Sequence, residues 1–325
     1  MNRGQVERAA EVVATLPDSI KPLNFYSFDT PGGEIVAEDM YPPLDHQRAI
    51  DFFFFVMLHN YGFWHGDEKG YASPLYGTLG GKRRKGSDML WRIVMRQLDE
   101  DPDRLRPKWL ASESVSDDEL TERFFSDDDG VIAFPDLDDR IRRTRAYGHW
   151  FTSGRMTTQK LVEVANAHNR TLTAFHQLMS VVAGYTADPL EKRQTLLAMA
   201  LHNRPEQFLK VTDPERWYPI VDYHLMRVCL RSGMVELEPH ELEANTARAW
   251  VSAETEAEIR QECDLALTGV LQKSGRSHAL NDFAFWKARR SCPEMEEPNC
   301  DKCHFNGFCA KRSDLFQPVF RTTHY

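Results

Sequence analysis

The stretch PIVDYHLMRVCLRSGMV, Pro219 to Val235, decides how the chain is read. Pro219 precedes a helix from about Val221 to Ser232, and Gly233 closes it as a helix C-cap. An acid at the start of such a helix ordinarily serves as an N-cap, accepting backbone N–H bonds. That role accounts for Asp222 alone. It leaves unexplained the whole phrase and the cysteine-rich stretch that follows it.

Working outward, the pattern is helical almost everywhere. Apolar spacing predicts helices over Val6–Leu16, from Asp45 through Phe52–Phe55 towards Trp64, and from Ser87 or Asp88 to Leu98. Further helices are expected after Ser116, over Leu137–Tyr147, over Thr158–Ala183 with a break near Asn169, and over Leu190–His202. Two more are Glu254–Gln272 and Asn281–Arg290. Gly66–Gly86 reads as a loop rich in Gly, Lys and Arg. Strand signals are confined to residues 23–38, where Gly32-Gly33 favours a hairpin turn. The expectation is an all-α, two-lobed fold with minor β content near the N-terminus. It divides into a mostly helical lobe (1–150), a helical core carrying Asp222 (151–280) and a cysteine loop with tail (281–325).

The 325 residues are 42% hydrophobic and 27% charged, a globular balance that excludes wholesale disorder. No apolar run reaches the roughly 18 residues of a membrane helix. The N-terminus has no apolar signal core, so a cytoplasmic protein without a membrane partner is expected. A net charge of −9 favours a small nucleotide or a short contact over a long duplex footprint. The basic run Gly80–Gly86 is a solvated loop by default; its functional reading is a phosphate contact through residues such as Lys85.

Cys292, Cys300, Cys303 and Cys309 follow a Cys-x7-Cys-x2-Cys-x5-Cys spacing. Clustered cysteines in a cytosolic chain point to metal before disulfide. The spacing suits a 4Fe–4S cluster better than zinc, since zinc ribbons pair two Cys-x2-Cys knuckles.

The phrase Asp222, His224, Arg227, Arg231, Gly233, with the approach NDFAFWKARRSC (Asn281–Cys292), resembles the iron–sulfur members of the helix-hairpin-helix glycosylase superfamily over about 220–312. The resemblance implies that Asp222 is the catalytic carboxylate. Breaking a base–sugar bond leaves positive charge on the sugar, which a carboxylate stabilises while activating water. Two departures narrow the class. The stretch His202–Asp213 lacks the family's hairpin glycines, which puts its DNA grip in doubt. Arg204 stands at the place of the lyase-type nucleophilic lysine, and an arginine cannot form a Schiff base. A hydrolytic mechanism without lyase activity is therefore expected.

A second likeness lies in the N-terminal part. DFFFFVMLHNYGFW (Asp51–Trp64), Gly86–Glu100 and Asp127–Gly148 resemble segments of the queuosine-salvage glycosylases, which release a 7-deazaguanine base from a nucleoside monophosphate. Trp217 and Tyr223, flanking Asp222, and the aromatics Phe55, Tyr61 and Trp64 are the candidates for stacking on a base. Asp282 is a candidate second acid, with capping of the last helix as its simpler role. Three functions compete. They are a hydrolytic N-glycosylase on a modified nucleoside or nucleotide, a DNA-repair glycosylase with DNA or RNA as partner, and a non-catalytic iron–sulfur protein that binds nucleic acid or acts as a sensor.

Overall fold

The computed structural model describes residues 1–17, 20–30, 33–131 and 134–325. In chain order the elements are α1 (Arg3–Ala14), β1 (Ser27–Thr30), β2 (Gly33–Val36), α2 (Ala49–Leu58), β3 (Trp64–Gly66), β4 (Tyr71–Pro74), β5 (Tyr76–Leu79), β6 (Lys82–Lys85) and α3 (Ser87–Glu100). There follow α4 (Pro107–Leu110), α5 (Asp117–Phe125), α6 (Leu137–Ser153), α7 (Thr158–Asn166), α8 (Thr171–Met179), α9 (Lys192–Asn203), α10 (Tyr223–Ser232), α11 (Pro239–Thr246), α12 (Ala253–Ser274) and α13 (His278–Ser291). The protein is mostly helical with small two-stranded sheets. No helix of the described residues is long and apolar enough to cross a membrane.

The caps explain the boundaries. Ser116 accepts from the Glu119 amide and starts α5, while Ser277 accepts from the Leu280 amide and starts α13. Gly233, at φ 78°, ends α10 in the left-handed region that favours glycine. Asp45 does not cap α2: it lies three residues before the N-cap Arg48, in a left-handed conformation of its own. Ser87 and Asp88 lie inside α3, whose N-cap is Gly86.

The main correction concerns β structure. Residues 66–86 are not a loop: β3–β4 and β5–β6 are antiparallel hairpins. The β5–β6 turn is Gly80-Gly81, with both φ values positive (61° and 68°), as a two-residue turn matching strand twist requires. The basic run thereby becomes a turn and an edge strand. The Gly32-Gly33 turn involves Gly32, which lies outside the described residues, but β1 and β2 on either side pair in register Ser27↔Val36.

Two large apolar cores divide the chain about two thirds of the way along it. The larger runs from Phe25 to Ile220 and is built around α2, whose ten residues AIDFFFFVML are all buried. A helix apolar on every side belongs inside a core, and each fully buried Phe contributes about 1.5–3 kcal/mol. The second core joins α1 to residues from Val221 onward. The seam between them falls at Ile220 and Val221, one residue before Asp222.

The loop after α2 reaches this seam in a fixed shape. Arg140, fully buried, donates to the His59 carbonyl (2.9 Å) and the Tyr61 carbonyl (2.6 Å). The residue between them, Asn60, is presented to α9.

Candidate active site at the seam of the two cores

Asp222 is the N-cap of α10, its carboxylate accepting from the Leu225 amide at 3.0 Å. The capping role is real, and the carboxylate also carries an electrostatic neighbourhood. Lys192, the first residue of α9, is buried, and its Nζ donates to the Asn60 carbonyl (3.0 Å) and Oδ1 (2.6 Å). Burial pushes the Lys192 ammonium down to about 8, against the pull of Asp222. Asp282 lies near the start of α13. Burial first, and the charge of Asp222 second, push its carboxyl up to about 7, while Lys192 opposes the rise. Three helix N-terminal regions thus bring two acids and one amine into a single electrostatic cluster.

Lys192 breaks a local rule. A cation on the first turn of a helix faces the positive end of the helix dipole, and this one is also buried. Residues placed against local preference are where function is expected. The capping role considered for Asp282 falls to Ser277 instead, which leaves the Asp282 carboxyl for the seam.

A buried clamp holds the cluster together. Asp188 accepts from the Leu190 amide (3.0 Å) and the Lys192 amide (2.8 Å), and so caps the start of α9. Arg260, from α12, grips the same carboxylate in bidentate fashion (2.7 and 3.0 Å) and also donates to the Val221 carbonyl (3.3 and 3.2 Å). Although burial works against it, the Arg260 bonds hold the Asp188 carboxyl below its ordinary value. One guanidinium therefore ties the backbone beside Lys192 to the backbone beside Asp222. The ring of the C-terminal Tyr325 lies 4.7 Å from it, with the Tyr325 hydroxyl donating to Glu256 and the Tyr325 carbonyl accepting from Gly62.

Beyond α10 stands a second charged group. Glu294, buried, pairs with Lys85 at 2.6 Å and Arg227 at 3.7 Å. Burial, then Arg289 and Arg227, hold His224 well below its ordinary value, so its ring is neutral. The Nη2 of Arg227 lies 3.1 Å from the His224 Nδ1.

The residues singled out in the sequence fall into distinct places. Tyr223 and Trp217 are buried beside the seam; the Tyr223 ring lies 4.2 Å from that of His224, and Trp217 stacks on His278 at 4.7 Å and 9°. Tyr61 is fully buried, under the Arg140 guanidinium, and donates to Asp139. Trp64 stacks on Tyr71, with Arg321 over its other neighbourhood at 4.2 Å. Phe55 packs on Phe124 and His59 inside the larger core. Lys85 holds Glu294. Tyr223 thus follows Asp222 at the head of α10, Trp217 sits against His278, and Phe55 lies among core aromatics.

Sequence reasoning missed Lys192, Asn60, Asp188 and Arg260. Asn60 precedes the more conspicuous Tyr61 and has no motif of its own. Lys192 could have been found by its place at a helix start. Asp188 and Arg260 are 72 residues apart in sequence, and no local signal pairs them.

A cavity of about 20 Å³ runs beside Ile220, Leu225 and Phe285 to Asp282. It shares Leu271 and His278 with a groove of about 1620 Å³ along α13. Neither lining includes Asp222, which is half-buried.

The cysteine expectation is overturned. All six cysteines are free, and among the described residues no three His, Cys, Asp or Glu side chains are grouped so that they could hold a metal ion. Cys292, Cys300, Cys303 and Cys309 do share a neighbourhood: burial, and then the neighbouring cysteines, raise the Cys303 and Cys309 thiols. Their sulfurs are engaged by other partners, however. Cys292 accepts from Arg231 at 3.2 Å, and Cys309 donates to the Arg231 carbonyl at 3.5 Å and accepts from the Lys311 amide at 3.4 Å. Short spacing permits convergence without imposing it. Neither the 4Fe–4S cluster nor its zinc alternative is carried further, and the iron–sulfur sensor reading loses its basis.

The fold is mostly helical, and at the seam of its two larger cores Asp222, Asp282 and the buried Lys192 influence one another electrostatically. Comparison with known families adds a direction. Residues 40–186 match the family model of the queuosine salvage protein, which supports a role related to queuosine salvage. The match includes Asn60, Tyr61 and Lys85; Lys192, Asp222 and Asp282 lie beyond it. No curated protein matches the chain.

Proposed function

We propose that this protein is a hydrolytic N-glycosylase, built on a helix-hairpin-helix glycosylase-like core, that releases a modified base of the 7-deazaguanine type from a nucleoside or nucleotide. The observation that carries the reading is the convergence of Asp222, Asp282 and Lys192. A carboxyl held protonated beside a second acid is the usual sign of a general acid and its partner. Asp282, raised to about 7, keeps a proton to give to the departing base. The bond between base nitrogen and C1′ breaks, and its electron pair leaves with the base, which takes the Asp282 proton. Asp222 stabilises the cationic sugar and accepts a proton from the water whose oxygen bonds to C1′. Lys192, held by Asn60, stays an ammonium below about pH 8 and sets a positive charge beside the two acids. With Nζ committed to two Asn60 acceptors, it positions rather than attacks. Trp217 and Tyr223 would line the base.

The test is incubation of the purified protein with a panel of modified nucleosides and nucleotides, with free base detected by mass spectrometry. Release from a 7-deazaguanine member is expected. A folded protein that releases no base from any member sinks the reading.

Asp282 gives a prediction in pH. Base release should fall as pH rises through about 7, because the acid form is spent there; Asp282→Asn should be slow and lack that limb. Stability falls with rising pH as well. The folded state keeps the Asp282 proton up to about 7 and the unfolded chain only to about 3.8. Folding therefore takes up a proton in that window, and the carboxyl's contribution is lost as pH rises through it. Asp282→Asn should stabilise the protein at pH 8 by about 2 kcal/mol, after allowing for partial exposure, and leave it unchanged near pH 4. Urea unfolding at the two pH values checks this; equal stability changes at both would contradict it.

A further inference from the structure

Of the residues used in the chemistry above, the groove along α13 is lined only by Trp217. Its helix presents Phe283, Trp286, Lys287 and Arg290 to the groove, a spacing that puts all four on one face. Ala284, Phe285 and Ala288 are buried on the other side. Phe283 and Trp286 are stacked at 6.0 Å and 22°, and the Arg289 and Arg290 guanidiniums lie 4.2 and 4.8 Å from the Trp286 ring. The Trp217–His278 stack forms a second aromatic wall. His278 is buried and its Nε2 is paired with the Tyr218 carbonyl, but its Nδ1 has no partner.

Charge and size agree with the rings. Among the described lining residues are four full cations, Lys21, Arg276, Lys287 and Arg290, and one carboxylate, Glu215, in a chain whose net charge is −9. The volume of about 1620 Å³ exceeds the upper size of small-molecule pockets, about 1,000 Å³. Alternating stacking platforms and cations in an extended groove suit a polymer with planar bases and regular phosphates. An acidic peptide would use the cations but leave the rings unpaired.

We propose that this groove binds a single strand of nucleic acid, with bases stacked on Phe283 and Trp286 and phosphates set against Lys287 and Arg290. The His278 Nδ1 is then available to a base edge. The strand would run past the small cavity of Asp282, which shares His278 and Leu271 with the groove. The proposal goes beyond the glycosylase reading and does not depend on it, because binding is measured without base release.

The experiment is fluorescence anisotropy of the full chain with labelled 12-nucleotide single-stranded DNA and RNA at low and moderate salt. A 12-base-pair duplex, a 5′-mononucleotide and an acidic peptide serve as competitors. Single strands should bind, more weakly as salt rises. Lys287→Ala with Arg290→Ala should flatten the log–log salt dependence by about 1.4, or about 0.7 per lost phosphate contact. Trp286→Ala should weaken binding about tenfold with the salt slope kept. The DNA and RNA arms show which sugar the groove takes. The proposal is overturned if no strand binds at low salt or if folded variants bind like the wild type. It is equally overturned if the duplex, mononucleotide or peptide competes better than unlabelled strand.

Discussion

Asp222→Asn should lower base release by about 10³-fold or more while leaving the fold in place. The two halves of that expectation have separate causes. Asparagine is as good an N-cap as aspartate, so the bond to the Leu225 amide at 3.0 Å survives and α10 keeps its start. What disappears is the negative charge that the sugar cation requires. The same substitution should shift both neighbours downward, because Asp222 raises the Asp282 carboxyl and supports the charge on Lys192. Removing it lets Asp282 ionise at lower pH and Lys192 lose its proton more readily. Single-turnover base release, with circular dichroism and thermal melting as fold controls, checks the first half. A folded Asn variant within tenfold of the wild-type rate would show that the carboxylate only finishes a helix.

The second large effect is on stability. Arg260→Ala should cost about 3–5 kcal/mol, because it leaves the buried Asp188 carboxylate without its counter-ion. Both members of the pair are almost fully buried, and the pair is bidentate. Arg260→Met combined with Asp188→Leu should cost much less than Arg260→Ala alone, since an apolar pair of similar volume carries no stranded charge. The double variant should still lose base release heavily. The clamp also carries the Val221 carbonyl and the Lys192 amide, so without it the two helix starts no longer share a fixed separation. Urea unfolding and base release measured on the same three proteins separate the effects. A double variant that is stable and fully active would remove the clamp from the site.

Much of the helical layout was legible because it rests on local signals. Ser116 ahead of α5, the break near Asn169 between α7 and α8, and Gly233 after α10 all mark boundaries by cap and turn chemistry that operates within a few residues. The hairpins over residues 64–85 were read as loop because β4, β5 and β6 are short, polar and largely exposed. They have little apolar alternation to betray them, and Gly80-Gly81 was the one turn signal present. Asp45 failed as a cap for a related reason: Pro42-Pro43 suggests an immediate start, but the chain makes a further turn before Arg48.

The site divides in the same way. Asp222 was identifiable because a short motif surrounds it, and Tyr61 drew attention to the loop whose neighbour Asn60 makes the contact. The cysteines show the opposite failure, in which a spacing compatible with ligation is not accompanied by a ligand set.

By itself the sequence determined the helices, their caps and the acid at the head of α10, since each depends on side chains and backbone within a turn or two. Only the tertiary structure decided that Lys192, Asp222 and Asp282, spread over ninety residues, influence one another electrostatically. That arrangement depends on where two apolar cores meet and on a buried Arg260–Asp188 pair. Both arise from contacts between residues distant in the chain, which no local pattern encodes.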